Sequence, residues 1–130
     1  MKKILVVEDD PLMRQFYCAI FKRNSFFCHI SDNGDEIINY LNSNMVDLII
    51  MDINLNNTYL NGERTNGFSL LTEIRKINKL RNLPIVLVTA HSLQPKNKNS
   101  ETFDSSVYFM TKPIVNYSEF VNTIKKLIPN

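Results

Sequence analysis

Five short apolar runs, separated by longer amphipathic stretches, constrain this chain more than any other feature: Ile4–Val7, Phe26–Ile30, Leu48–Met51, Ile85–Val88 and Val107–Met110. The first, third and fourth are almost wholly aliphatic, with no alternation of apolar and polar residues. A strand that reads this way is covered on both faces, as in a parallel sheet with helices above and below it. The stretches between the runs have helical spacing. Asp10-Pro11 offers an N-cap and a first-turn proline, and Leu12, Phe16 and Ile20 then recur on one face. Asn33-Gly34-Asp35-Glu36 opens a second helix with Ile37, Ile38 and Leu41 facing inward. Phe68, Leu71, Ile74 and Ile77 stripe a third, from Gly67 to about Leu80. The last begins at Asn116, with Glu119 three residues on in a capping-box pattern. Its apolar side carries Tyr117, Phe120, Val121, Ile124, Leu127 and Ile128.

The stretch Leu93 to Ser106 is rich in Asn, Lys and Ser, and only Leu93 and Phe103 are clearly apolar. A helix is still predicted there, because a crossover between parallel strands needs about a dozen residues or more. It is the weakest of the five, with Ser92 as N-cap and Pro95 in its first turn. Strict alternation of strand and helix predicts an α/β fold with one parallel sheet. The polar stretch Asn56–Asn66 reads as an extended loop. No linker, repeat or second domain is predicted, so residues 1–130 are expected to form a single domain.

Composition excludes several functions. Basic and acidic residues number 15 and 13, and the basic ones are dispersed from Lys2 to Lys126. A nucleic-acid surface would gather them into a patch, so none is expected. No apolar run approaches the ~20 residues that span a bilayer. Ile4–Val7, after Met1-Lys2-Lys3, is too short for a signal-peptide core, and a cytoplasmic protein without membrane contact is expected. Cys18 and Cys28 lack CxxC spacing and are expected as buried thiols in a reducing compartment. His29 and His91 have no metal-ligand partner at usable spacing. His29 is expected as partly exposed structure, and His91 at the rim of the site described next.

In open α/β sheets the ligand site lies beyond the carboxyl ends of the strands. Here those ends carry Glu8 and Asp9 after the first strand, Asp52 at the third, Thr89 at the fourth, and Lys112 with Pro113 at the fifth. Each alone is more often structural: acids before a proline cap a helix, and a lone Asp ends a strand in a turn. Together, in order, they bring three carboxylates, a hydroxyl and an ammonium to one rim. Clustered carboxylates repel, and a hard cation such as Mg²⁺ relieves them. Cation and ammonium stabilise the transition state of phosphoryl transfer, with Asp52 as nucleophile and an aspartyl phosphate as product.

Four segments carry a resemblance: Lys3-Ile-Leu-Val-Val-Glu-Asp-Asp-Pro11, Asp47-Leu-Ile-Ile-Met-Asp-Ile-Asn-Leu55, Pro84-Ile-Val-Leu-Val-Thr-Ala90 and Tyr108-Phe-Met-Thr-Lys-Pro113. The chain resembles the receiver domains of two-component response regulators over essentially its whole length. The resemblance implies a flavodoxin-like (βα)5 three-layer sandwich with a parallel sheet of order 2-1-3-4-5. It implies phosphorylation of Asp52 by a sensor histidine kinase or a histidine phosphotransfer protein, and an unspecified downstream protein. Asp9, Asp52 and the backbone carbonyl of Asn54 would ligate Mg²⁺ (or Mn²⁺), with Glu8 acting through a bound water. Thr89 and Lys112 would hold phosphoryl oxygens. Thr89, Ala90, Phe109 and Lys112 would form the switch, Phe109 swinging inward as Thr89 is drawn to the phosphate. Such a domain catalyses only its own phosphorylation and dephosphorylation.

The sequence departs from the family pattern at several points. Glu8 stands where Asp is commonest, Asn56 where a proline usually follows the phosphoacceptor strand, and Ser105-Ser106 where a glycine commonly precedes the fifth strand. The loop to Gly67 is longer than usual, and Phe109 lacks a hydroxyl. A haloacid-dehalogenase-type phosphatase would need Asp-x-Asp after the first strand, which Glu8-Asp9-Asp10 does not supply, and a cap domain. No glycine-rich nucleotide-binding pattern follows the first strand, and the chain holds three glycines. A phosphate-independent pseudo-receiver is disfavoured because all four phosphorylation positions are filled. The chain stops just after its last helix, which fits a stand-alone regulator or the receiver piece of a longer protein.

Overall fold

A computed structural model describes residues 1–90 and 104–128. In chain order the elements are β1 (Lys3–Val7), α1 (Pro11–Arg23), β2 (Phe27–Ser31), α2 (Gly34–Ser43), β3 (Leu48–Asp52), β4 (Tyr59–Leu60), β5 (Glu63–Arg64), α3 (Gly67–Arg75), β6 (Ile85–Thr89), β7 (Val107–Thr111) and α4 (Tyr117–Leu127). Five strands form one parallel sheet of order β2-β1-β3-β6-β7. Counted without the small β4–β5 ribbon, this is the expected order 2-1-3-4-5.

The aliphatic strands serve two cores at once. Leu5, Val7, Ile49, Met51, Ile85 and Leu87 face α2 and α3, meeting Ile37, Leu41, Leu70 and Ile74. The alternate residues Ile4, Val6, Leu48, Ile50, Val86 and Val88 face α1 and α4, meeting Tyr17, Phe21, Phe120 and Ile124. With both faces apolar, period-two alternation vanishes from the sequence. On the second face the ring of Phe120 lies 5.8–6.2 Å from those of Phe16, Tyr17 and Phe21, so the first and last helices share one aromatic cluster.

Helix starts follow their caps. Asp10, Asn33, Asn66 and Asn116 each accept a backbone N–H from the first turn of the helix that follows. The helix faces correct the sequence reading in three places, one of them Tyr117 at the start of α4, which is 55% exposed. On α1 Leu12 is 75% exposed, and the buried face is Tyr17, Ile20 and Phe21. The helix is turned by about one residue because the two aromatic rings bury more area than the leucine. On α3 Phe68 is exposed, while Leu70, Leu71 and Ile74 are buried. That helix stops at Arg75 rather than near Leu80. Its end tightens as Lys76 N–H reaches the Glu73 carbonyl, and a 3₁₀ turn over Asn78–Leu80 follows.

The stretch read as an extended loop contains the antiparallel β4–β5 ribbon, pairing Tyr59 with Arg64 and Leu60 with Glu63. Asn61 (φ 53°) and Gly62 (φ 81°) are both left-handed, the pattern of a two-residue hairpin turn that favours Asn-Gly. Before β7, Asp104 closes the turn into the strand. Its carboxylate accepts Ser106 N–H and its carbonyl accepts Val107 N–H, and neither serine needs a positive φ. Cys18 and Cys28 are unpaired, but Cys18 is exposed and Cys28 half-buried rather than both buried. His29 is half-buried as expected, stacked on Tyr40 at 3.9 Å with Nε2 on the Glu36 carboxylate. His91 and most of the predicted helix over Leu93–Ser106 lie outside the described residues. Among the described residues no helix is long and apolar enough to cross a membrane.

Candidate functional site

The parallel register delivers every rim residue to one end of the sheet. Val7 pairs with Met51, so Glu8 and Asp52 leave neighbouring strands side by side. The ladder runs one step further where Glu8 N–H donates to the Ser31 carbonyl, which fixes the direction of the Glu8 side chain. Asp52 pairs with Val88, and Thr89 with Thr111, so the hydroxyl and Lys112 come from the adjoining strands. Lys112 N–H donates to the Thr89 carbonyl at 2.9 Å, and the Lys112–Pro113 peptide bond is cis.

These side chains form one charge cluster. Lys112 Nζ donates to Asp52 Oδ2 at 3.0 Å and lies 3.8 Å from Glu8 Oε1. The other Asp52 oxygen accepts Asn54 N–H at 3.0 Å. Glu8 Oε2 accepts Asp10 N–H at 3.1 Å, while Oε1 is buried without a hydrogen-bond partner. Asp9 Oδ2 accepts two main-chain donors, Asn56 N–H at 2.7 Å and Asn57 N–H at 3.2 Å. Glu8, Asp9 and Asp52 each offer an oxygen, all within 4.8 Å of one another. Glu8 and Asp52 are 1% and 5% exposed and Thr89 is fully buried, its hydroxyl donating to the Ala90 carbonyl at 3.1 Å.

Burial pushes the Glu8 carboxyl up to about 7; the Asp10 N–H and Lys112 act against the rise, and the charge of Asp52 adds to it. Burial alone would lower the Lys112 ammonium, but the Asp52 hydrogen bond and the charges of Asp52, Glu8 and Asp10 outweigh it and raise its pKa. The cluster is therefore short of positive charge. A buried carboxylate oxygen without a donor, beside two further carboxylates, fits a hard divalent cation.

The structure thus brings Glu8, Asp9, Asp52, Asn54, Thr89, Ala90 and Lys112 together at one rim. Phe109 lies two residue pairs below the Thr89–Thr111 pair, level with Leu87 in the register, with its ring half-buried against the α2–α3 core. What sequence reasoning missed is the role of the main chain at Asn56 and Asn57. Backbone donors leave no mark on residue type, and only the absence of a proline at position 56 hinted that an N–H was needed there.

A profile of the response regulator receiver domain family matches residues 4–125. The chain belongs to the response regulator receiver domain family. The transcriptional regulatory protein BaeR of Escherichia coli O6:H1 is 32% identical over 88 residues, covering 68% of this chain and 32% of BaeR. The match therefore spans about a third of that relative. Among solved structures, the response regulator TrrA of Thermotoga maritima in complex with Mg²⁺-BeF is 29% identical, with a TM-score of 0.76 and coverage of 98% of this chain and 100% of that one. A second structure, of the histidine kinase ThkA in complex with TrrA, matches with a TM-score of 0.74 at 29% identity, covering 99% and 100%. The chain is a receiver domain of the two-component type, and the Glu8–Asp9–Asp52 cluster corresponds to a group able to bind a metal ion.

Proposed function

We propose that Asp52 is the phosphoacceptor and that a histidine kinase or histidine phosphotransfer protein supplies its phosphoryl group. The observation that carries this reading is the Asp52 carboxylate at the end of β3, held between Lys112 Nζ and Asn54 N–H, with Glu8 and Asp9 alongside. TrrA, of the same family, has been seen with a histidine kinase and with Mg²⁺-BeF, which supports the partner class and the ion.

Glu8, Asp9, Asp52 and the carbonyl of Asn54 would hold Mg²⁺, or Mn²⁺ in its place. The bound ion would supply positive charge to the phosphoryl oxygens. Asp52 attacks phosphorus, an O–P bond forms, and the bond to the donor nitrogen breaks in line with it. Lys112 is the protein's own cation for the charge that develops. Thr89 turns its hydroxyl from the Ala90 carbonyl toward a phosphoryl oxygen, and the Phe109 ring follows into the vacated space. Water later hydrolyses the acyl phosphate, so the domain acts on no substrate but itself.

Incubation with acetyl phosphate and Mg²⁺, followed by peptide mapping, tests this. Stable phosphate on Asp52 is expected. Steady turnover of the donor without an adduct, or phosphate on another residue, would overturn the reading. Asp9→Ala is expected to weaken Mg²⁺ binding by about tenfold or more, measured by titration of the unphosphorylated protein. Thr89→Ala is expected to accept phosphate yet lose the phosphate-induced shifts of the Phe109 ring in NMR spectra. Wild-type shifts in that variant would break the link between hydroxyl and ring.

A further inference from the structure

The two donors that meet Asp9 belong to Asn56 and Asn57, the residues that lead into the β4–β5 ribbon. The ribbon is fixed at both ends. At its base Thr65 N–H donates to the Thr58 carbonyl at 2.9 Å, above a fully buried Thr58. At its tip Asn61 N–H donates to the Asp35 carboxylate, 3.1 and 3.3 Å from its two oxygens, on the first turn of α2. Gly34 makes this docking possible. A Cβ at that position would lie 2.5 Å from the Tyr59 carbonyl oxygen and 3.0 Å from Leu60 Cβ. The requirement is close approach of two backbones, not an unusual φ.

We propose that the ribbon is a positioning element for the metal-binding carboxylates. Gly34 and Asp35, on a helix that contributes no ligand, set the cation affinity of Asp9 by holding the ribbon down. This rests on the reading of Glu8, Asp9 and Asp52 as the metal set. A loose Asp9 would swing away from the other two carboxylates to relieve repulsion. Two main-chain hydrogen bonds to one oxygen hold the carboxylate in the cluster and spread its charge. The cost of gathering three anions is then met during folding rather than on binding.

Mg²⁺ titration followed by backbone-amide NMR tests the proposal, because it reads affinity and folded state in one experiment. Gly34→Ala and Asp35→Ala are each expected to weaken Mg²⁺ binding by about tenfold, with the amide signals of β1, β3 and β6 in place. Asp35→Ala, which removes an exposed side chain, carries the same test if Gly34→Ala fails to fold. Asp9→Asn is the control. If Asp9→Asn binds Mg²⁺ as wild type does, the metal set itself is wrong. If Asp9→Asn loses binding while the ribbon variants bind as wild type, the positioning role is overturned. Lower thermal stability in the ribbon variants with unchanged Mg²⁺ affinity is what a purely structural ribbon would give, and it also overturns the proposal.

Discussion

Asp52→Asn is expected to reduce phosphate incorporation from acetyl phosphate by on the order of 10³-fold or more, as removal of a nucleophile does. The substitution is nearly isosteric. The amide oxygen can still accept Asn54 N–H or the Lys112 ammonium, both now 3.0 Å from the carboxylate. What it loses is the charge and the electron pair that attack phosphorus. The fold is expected to survive, since a buried carboxylate beside Glu8 is itself a source of repulsion. Quantitative intact-mass measurement under saturating donor and Mg²⁺ checks this. Incorporation at the wild-type rate would mean that the nucleophile lies elsewhere.

Lys112→Ala is expected to destabilise the metal-free protein by on the order of 2–3 kcal/mol near pH 8. Among the described residues Lys112 is the only cation paired with Glu8 or Asp52. Breaking a buried pair costs about 3–5 kcal/mol, and the figure is reduced here because the lysine side chain is 27% exposed. The effect has a definite pH dependence. The Glu8 carboxyl is raised from 4.5 to about 7 in the folded protein, so the native state keeps a proton that the unfolded chain has released. Stability therefore falls as pH rises from 4.5 toward 7 and levels off above that. Removing Lys112 removes an influence that lowers Glu8, which carries the decline to higher pH. The destabilisation is thus expected to grow as pH rises through the range in which Glu8 ionises, and Mg²⁺ should offset part of it. Urea unfolding with a chelator, at acid and alkaline pH, reads the difference. An equal loss at both would show that the lysine charge has no hold on Glu8.

Sheet order and the four rim positions were legible because their signals are local. An aliphatic run marks a strand covered twice, and the residue after each run marks the rim. The face of α1 was misjudged because Leu12 fits the spacing of Phe16 and Ile20, while the larger rings of Tyr17 and Phe21 decide the rotation. The β4–β5 ribbon was read as loop because each strand is two residues long, too short for a pattern, although Asn61-Gly62 was a turn signal in plain view. The donors to Asp9 were invisible for a deeper reason: a main-chain N–H looks the same in every residue but proline.

The aromatic cluster shared by α1 and α4 has a consequence for synthesis. Tyr17 and Phe21 leave the ribosome long before Phe120 arrives to cover them. At about 5–20 residues per second, that interval is on the order of ten seconds. During it the nascent chain can close the α2–α3 side of its sheet but presents a sticky aromatic strip on the other. A chaperone that binds exposed rings, or a neighbouring nascent chain on the same message, would meet this protein there first.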